Sequence, residues 1–317
     1  VMSLEIKNLR ISFRRGSSLF EAVHGVSFSL GDGRALGIVG ESGCGKTLSA
    51  MSVMRLLPST AVITEGEIVY NGLDILSLSE KEMRMIRGNK IALIPQDPLT
   101  SLNPLYTIGD QLMEVILLHQ EVTKKEAKEI ALESLNMVKI PDASKRFDDY
   151  PYQFSGGMCQ RVIIAMALAS EPDLIIADEP TTALDVTVQA QIMELFSEIR
   201  QKRKTSLILI THDLGLISEN VDDVAVMYAG AVVEYASVKE LFLNPSHPYT
   251  KGLLGSLPRG SKERLKIIEG QPPQVGEIIS GCSFHQRCEF VMDKCNKKYP
   301  ERYFLSDNHS VNCFLYE

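Results

Sequence analysis

The fold of this chain is narrowed first by a glycine-rich loop, which reads Gly40-Glu41-Ser42-Gly43-Cys44-Gly45-Lys46-Thr47-Leu48. The apolar run 35–39 precedes it, and a helical pattern over 48–57 follows and ends at Pro58. A strand, a G-x-x-x-x-G-K-[ST] loop and a helix in this order predict a phosphate-binding loop, because loop N–H groups and the helix N-terminus attract anions. Lys46 should reach the β- and γ-phosphates, and Thr47 should hold Mg²⁺. The alternative is a chance glycine-rich turn.

Composition limits the classes of protein that the chain can belong to. Its 317 residues suffice for one large α/β domain with an appendage, and 44% hydrophobic residues support a full core. The net charge of −7 and the lack of a long basic run make nucleic acid an unexpected partner. No apolar stretch approaches the roughly 20 residues of a membrane span, and no secretory signal is recognisable. We therefore expect any membrane connection to run through a partner.

Hydrophobic periodicity predicts an α/β fold with an antiparallel part. Alternating residues over 4–30 predict antiparallel strands, and residues 66–72 predict another that ends in an Asn-Gly turn. Short apolar runs predict buried strands at 91–94, 174–177, 207–210, 224–227 and 232–233. Helical patterns cover 108–119, 123–139, 158–170 and 187–203. We place a helical insertion at about 97–170.

Two acids close the apolar run 174–177. A carboxylate at the carboxyl end of a strand can hold the Mg²⁺ that bridges phosphates, which is the role expected for Asp178. A neighbouring carboxylate can polarise an attacking water, which is the role expected for Glu179. Acids often merely close strands, but the phosphate loop elsewhere in the chain favours the catalytic interpretation.

Gln96 and His212 also follow strand-like runs. The amide of Gln96 could bridge metal and water, and the imidazole of His212 could hydrogen-bond the γ-phosphate or the water. The alternatives are a turn glutamine and a surface histidine.

A second anion site is predicted where Ser155, Gly156 and Gly157 precede the helical pattern 158–170. The hydroxyl, the close backbone approach and the helix N-terminus all suit phosphate. Such a site, over a hundred residues after the loop, makes sense if it serves a nucleotide held by another subunit.

Taken together, residues 4 to about 250 resemble the ABC-transporter ATPases. Residues 40–47 are similar to their Walker A loop, Gln96 to the Q-loop, 154–161 to the signature, 174–179 to Walker B, 183–185 to the D-loop, and His212 to the switch histidine. The resemblance implies an ABC ATPase, that is, a P-loop NTPase with a RecA-like core, an antiparallel β subdomain and a helical insertion. It also implies ATP, Mg²⁺, a nucleotide contact from Asp185, and a head-to-tail homodimer or heterodimer that sandwiches two ATP molecules.

The resemblance further implies that an N-terminal aromatic residue stacks on adenine. We choose Phe13 and hold Phe20 in reserve, with a core phenylalanine as the alternative for each.

Three longer tags are similar to the oligopeptide and dipeptide importer ATPases. They are IPQDPLTSLNP at 94–104, FSGGM followed by QR at 154–161, and NPSHPYTKGLL at 244–254. The resemblance implies peptide import from the cytoplasmic face of the membrane, with a second ATPase, two permeases and an external peptide-binding protein. The alternatives are an importer of nickel or another small solute, a non-transport ABC ATPase, and a non-catalytic regulatory subunit.

The last 36 residues hold four cysteines, Cys282, Cys288, Cys295 and Cys313, in a segment too short for its own core. A reducing compartment disfavours disulfides, and the long, uneven spacing suits a [4Fe–4S] cluster, with zinc or free or paired thiols as alternatives. Similar tails occur in the peptide-importer ATPases, and His285 and His309 are reserve ligands. Cys44 and Cys159 are expected to pack as small residues, although a thiol at a helix N-terminus can have a lowered pKa.

These observations divide the chain into three parts. We expect an ABC ATPase domain at 1–255, a linker at 256–281 and a small four-cysteine module at 282–317.

Overall fold

The computed structural model describes residues 2–16, 18–182, 184–257, 268–274, 276–277 and 279–317. The chain forms two compact units. The first contains Val1–Gly31, Ala35–Leu76 and Leu209–Glu317, and the second contains Asp32–Arg34 and Ser77–Ile208. The cysteine-bearing tail is thus part of the first unit. Ten residues of the expected linker, 258–267, lie outside the described residues, and so do 275 and 278; our domain boundaries stay a prediction.

The first unit begins with an antiparallel sheet, as the alternating pattern predicts. Its strands are β1 (Met2–Arg15), β2 (Ser18–Gly31), β4 (Ala61–Tyr70) and β5 (Leu73–Asp74), in the order β2-β1-β4-β5. The Asn71-Gly72 pair joins β4 to β5 with positive φ at both residues, which is the backbone that such a turn demands. Many apolar side chains of β1 and β2 are buried, among them Leu4, Ile6 and Val26.

A second set of strands in this unit carries the phosphate loop. It comprises β3 (Ala35–Val39), β9 (Asp223–Tyr228), β10 (Ala231–Ser237), β11 (Tyr303–Ser306) and β12 (His309–Val311), in the order β11-β12-β10-β9-β3. The pair β3–β9 is parallel, and the other pairs are antiparallel. All five residues of β3 are buried, which explains the continuous apolar run before the loop. The tail therefore extends an existing sheet rather than forming a core of its own.

The helices of the first unit are α1 (Lys46–Val53), α9 (Leu214–Asn220), α10 (Val238–Leu243) and α11 (Pro248–Gly255). Three short 3-10 turns follow in the tail, at His285–Arg287, Asp293–Asn296 and Phe314–Tyr316. Helix α1 ends four residues before the predicted end of its pattern. Strand β8 (Ser206–Ile210) runs from the second unit into the first.

The second unit combines two parallel strands, β6 (Ile91–Ile94) and β7 (Leu174–Asp178), with helices. The helices are α2 (Glu80–Ile86), α3 (Pro98–Ser101), α4 (Ile108–His119), α5 (Lys124–Met137), α6 (Ala143–Arg146), α7 (Gly156–Ala169) and α8 (Val186–Arg203), with a 3-10 turn at Pro151–Gln153. Between residues 95 and 173, every regular element is helical, as the predicted insertion requires.

Side-chain caps fix where the main helices of the second unit begin. Thr107, Thr123, Ser155 and Asp185 each accept a backbone N–H from the first turn of α4, α5, α7 and α8. Among the residues that the structure describes, no helix combines the length and the apolar character that crossing a bilayer requires.

Candidate active site

The glycine-rich loop lies between β3 and α1, and at Gly40 it packs closely against the backbone of β9. Gly40 has a φ of +153°, and a Cβ atom there would lie 2.2 Å from the carbonyl oxygen of Met227. Gly45 has a φ of +94° and immediately precedes Lys46, the first residue of α1. Residues with a side chain rarely adopt such backbone angles, so both glycines are needed for the loop to curl.

Lys46 lies inside the curl. Its ammonium group donates to the carbonyl oxygens of Gly40, at 2.8 Å, and Glu41, at 2.9 Å, and the residue is buried. The loop thus holds a buried positive charge next to the N-terminus of α1, which is the electrostatic setting that a phosphate group favours.

Glu41 has two partners from distant parts of the first unit. Its backbone N–H donates to the hydroxyl of Tyr249 at 3.0 Å, and its carboxylate receives both terminal nitrogens of Arg287, at 2.7 and 3.0 Å. Sequence reasoning missed Arg287, since nothing in the cysteine-rich tail points towards the loop. Tyr249 lies in the NPSHPYTKGLL tag, which was the available signal.

Cys44 lies buried inside the loop. Burial raises the pKa of the Cys44 thiol, and this effect outweighs the nearby charge of Lys46, so the alternative of a pKa lowered at a helix N-terminus is not supported. Burial also raises the pKa of Cys159, whose thiol points at the carbonyl oxygen of Pro151. Both cysteines are buried free thiols, as small packing residues would be.

The second unit brings Gln96 and Glu179 together. The side-chain amide of Gln96 donates to the Glu179 carboxylate at 3.1 Å, and the Thr182 hydroxyl donates to the same oxygen at 2.9 Å. Glu179 has a φ of +45°, an uncommon left-handed backbone for a residue with a side chain. Asp178, the last residue of β7, is buried. The two carboxylates therefore differ in environment.

The signature residues surround a cavity of the second unit. Ser155 caps α7 by accepting the N–H of Met158, and Asp185 caps α8 by accepting the N–H of Val188. The cavity is lined by Lys139, Pro141, Ser155, Gly157, Met158, Arg161, Leu184, Asp185, Val188 and Gln191. A Cβ atom at Gly156 would meet nothing within 4 Å. Ala183 of the expected D-loop lies outside the described residues.

Phe13 and Phe20 face each other across the β1–β2 pair, and both line one cavity of the first unit. Its other lining residues are Arg14, Arg15, Thr60, Gln274, Gly276 and Glu277. The choice between the two aromatic rings stays a prediction.

His212 lies two residues after the end of β8, and it belongs to the first unit. It is exposed, and its neighbour Thr211 donates a backbone N–H to Ile38 of β3 at 3.3 Å. The first unit thus carries the loop, Lys46, Thr47 and His212, whereas Gln96, Asp178, Glu179 and the signature belong to the second.

The four tail cysteines line a single small cavity, together with His285, and all four are free thiols. Burial raises the pKa of Cys282 to about 11 and also raises the pKa values of Cys288 and Cys313, with smaller contributions from the neighbouring thiols. Within the described part of the chain, no three His, Cys, Asp or Glu side chains are already close enough to hold a metal ion.

The two reserve histidines have backbone or carboxylate partners. The Nδ1 atom of His285 lies 2.7 Å from the carbonyl oxygen of Cys282. The Nε2 atom of His309 lies 2.8 Å from the buried carboxylate of Glu234, which also accepts the N–H groups of Ser246 and His247. His309 is not among the residues that line the cysteine cavity, so it is a poor candidate ligand.

Comparison with known proteins adds independent information. Residues 23–182 match the family model described as ABC transporter, and residues 233–295 match the one described as oligopeptide/dipeptide transporter, C-terminal region. The chain is 51% identical over 315 residues to the dipeptide transport ATP-binding protein DppD of Bacillus subtilis, covering 98% of this chain and 94% of the relative. It is 45% identical over 312 residues to DppD of Escherichia coli, with coverages of 98% and 95%.

Solved structures show the same architecture. A dimeric ATP-binding cassette, MJ0796, in a post-hydrolysis state bound to ADP and Pi, superposes with a TM-score of 0.68 at 27% identity, covering 74% of this chain and 98% of that one. Another dimeric structure of MJ0796 gives a TM-score of 0.67 at 28% identity, with the same coverages.

Proposed function

Because this chain belongs to the ABC-transporter ATPases, among the dipeptide and oligopeptide transport ATP-binding proteins, we propose that its ATP hydrolysis powers the import of di- or oligopeptides. Relatives of 45–51% identity over nearly the whole chain bear those names. The chain is an ATPase that catalyses ATP + H₂O → ADP + phosphate. An importer of nickel or another small solute is the second candidate, since the ATPase itself does not bind the cargo.

We assign the chemical roles as follows. The loop 40–48 and Lys46 bind the phosphates, Thr47, Gln96 and Asp178 hold Mg²⁺, and His212 contacts the γ-phosphate. Mg²⁺ supplies neutralisation of phosphate charge when bound. The observation that supports catalysis most directly is the Glu179 carboxylate, which Gln96 and Thr182 hold by hydrogen bonds. A carboxylate held in one orientation can accept a proton from an attacking water.

The partners follow from the family. We propose a head-to-tail dimer with a second ATPase, in which Ser155, Gly156, Gly157 and Asp185 complete the partner's nucleotide site. The cassette MJ0796 bound to ADP and Pi, which shares this fold, is dimeric, and this supports a dimer. Two permeases, contacted by the helical insertion, and an external peptide-binding protein would complete a transporter, with this chain on the cytoplasmic face of the membrane.

For the tail, we propose that Cys282, Cys288, Cys295 and Cys313 hold a structural [4Fe–4S] cluster. The type of ligand supports this proposal, because four free thiols border one cavity and thiolate is the usual ligand of such clusters. Among the described residues no three candidate ligands are close enough to hold a metal ion, so the thiols would have to draw together on binding. Metal binding would release protons from the thiols, because the thiolate is the form that binds the metal. Anaerobically purified protein should be brown, absorb near 400 nm and contain iron and sulfide, and Cys288→Ser should weaken this absorbance. Colourless protein with stoichiometric zinc would contradict the proposal.

Reconstitution tests the transport function. The chain, its partner ATPase and the permeases are placed in proteoliposomes with the external binding protein. Peptide should stimulate ATP hydrolysis and accumulate in the vesicles, and Glu179→Gln should abolish both effects. Stimulation by nickel but not by peptide would establish the second candidate.

A further inference from the structure

Arg287 connects the cysteine-rich tail to the phosphate loop. Its guanidinium group makes a bidentate pair with Glu41, 246 residues earlier, and also donates to the carbonyl oxygen of Glu269 and the hydroxyl of Tyr228. The Arg287 side chain is 6% exposed and that of Glu41 is 25% exposed. A planar fork on a carboxylate fixes orientation as well as charge, so this contact is more specific than a surface ion pair.

The carboxylate of Glu41 is electrostatically unfavourable at its position in the loop. It places a negative charge in a loop that must accept a triphosphate, and like charges at short range in a partly buried site repel strongly. The pair with Arg287 cancels that charge. Tyr249 and Lys46 hold the same residue at its N–H and its carbonyl oxygen, so the side chain, the donor and the acceptor of Glu41 are all fixed.

Arg287 is in turn placed by the cysteine segment. It ends a 3-10 turn, His285–Arg287, that lies between Cys282 and Cys288. The N–H of His285 donates to the carbonyl oxygen of Cys282, and that of Arg287 to the carbonyl oxygen of Phe284, both at 3.0 Å. The backbone that presents the two thiols to their cavity therefore also presents the guanidinium group to the loop.

We propose that Arg287 is a positioning residue for ATP binding: it holds the phosphate loop through Glu41, cancels the charge of that carboxylate, and makes ATP affinity depend on the cysteine segment. The inference rests on the proposal that the loop 40–48 binds the phosphates of ATP. It does not depend on which metal, if any, the four thiols hold.

The test measures Mg-ATP affinity of the full-length chain by titration calorimetry, and KM and kcat of the assembled transporter. Arg287→Met should weaken ATP binding about 10- to 100-fold and raise KM more than it lowers kcat, because it leaves an unpaired carboxylate in the loop. Arg287→Lys, which keeps the charge but loses the fork, should fall between wild type and Arg287→Met. The matched control is Arg302→Met: Arg302 also lies in the tail and donates to Ser310, but it does not contact the loop.

Rescue separates positioning from a merely structural role. The double variant Glu41→Gln/Arg287→Met should bind ATP more tightly than Arg287→Met alone, because the uncompensated charge is gone. No rescue, or a loss in Arg302→Met equal to that in Arg287→Met, would overturn the inference. Lys46→Ala tests its premise: if ATP affinity survives that change, the loop assignment itself has failed, whereas a loss there with no loss in Arg287→Met defeats the inference alone.

Coupling to the tail has its own measurement. Cys288→Ser should weaken ATP binding in the wild-type background and have a smaller effect in Glu41→Gln, where the ionic link is already lost. An equal effect in both backgrounds, or no effect in either, would overturn the coupling.

Discussion

Gln96 donates a side-chain hydrogen bond to Glu179, which lies 83 residues later in the chain. The bond joins the segment after β6 to the acidic end of β7 within the second unit. Thr182 donates to the same carboxylate oxygen, and the backbone of Glu179 is left-handed. Strained backbone is retained where the surroundings over-determine it, and such residues cluster at active sites.

Replacing Glu179 by Gln should leave ATP binding largely intact but lower kcat by about 10²- to 10⁴-fold, the usual contribution of a general base. The amide keeps the size of the side chain while losing its basicity. Steady-state phosphate release measures the effect, with Glu198→Gln on the exposed face of α8 as the matched control. Unchanged turnover would remove Glu179 from the role of base.

Lys46→Ala should weaken ATP binding roughly 10- to 150-fold, because charge-assisted hydrogen bonds to buried groups contribute about 1.5–3 kcal/mol. The substitution also removes the two bonds by which Lys46 holds Gly40 and Glu41. Calorimetric titration with Mg-ATP measures the loss. Lys125→Ala, an exposed lysine of α5, controls for the loss of one positive charge; equal weakening there would show a general electrostatic effect.

The stacking aromatic can be identified by comparing two substitutions. Phe13→Ala should reduce ATP affinity by about 1–3 kcal/mol, the value of base stacking on an aromatic ring, while Phe20→Ala should have a smaller effect. A fluorescent adenine nucleotide gives the affinity, and a triphosphate lacking the base shows whether the loss depends on adenine. The reverse order of the two variants would transfer the role to Phe20.

Stability should fall in acid because of His247. Burial lowers its pKa to about 4, and its Nδ1 atom accepts the N–H of Tyr249 at the start of α11. Between pH 6.5 and 4, His247 binds a proton in the unfolded chain but not in the folded chain. The contribution of His247 to the free energy of unfolding is therefore fully present above pH 6.5. It should decline by about 3 kcal/mol as the pH drops to 4.

Urea denaturation from pH 7 to 4.5 would measure this decline. His247→Asn, which can still accept the N–H of Tyr249, should show a shallower dependence on pH. Identical slopes for His247→Asn and the wild type would assign the acid sensitivity to other groups.

Local signals made most of the fold predictable. The loop at 40–47, the buried strands and the capped helices each depend on neighbouring residues, so periodicity and spacing identify them. Strands β11 and β12 were missed, because they are three or four residues long and β11 is mostly exposed. Strand β12 forms by pairing with β10, and β11 forms by pairing with β12, neither of which their own sequence indicates.

Non-local contacts account for what the sequence analysis missed at the candidate site. Tertiary packing brings Arg287 to Glu41. An arginine next to a cysteine in the sequence does not indicate a contact with a phosphate loop. The pKa of Cys44 depends on two opposing effects, and only the packed loop shows that burial is larger than the charge of Lys46. Phe13 and Phe20 are cross-strand partners, so the alternating sequence pattern cannot distinguish which of them stacks on adenine.

The distance along the chain between Glu41 and Arg287 also matters while the protein is being made. At about 5–20 residues per second, a ribosome adds Arg287 roughly 12–50 s after Glu41. Throughout that interval the nascent loop carries a carboxylate without its cationic partner. The loop therefore acquires its final electrostatic environment only after Arg287 has been added, so a chain truncated before Arg287 would lack the ion pair with Glu41.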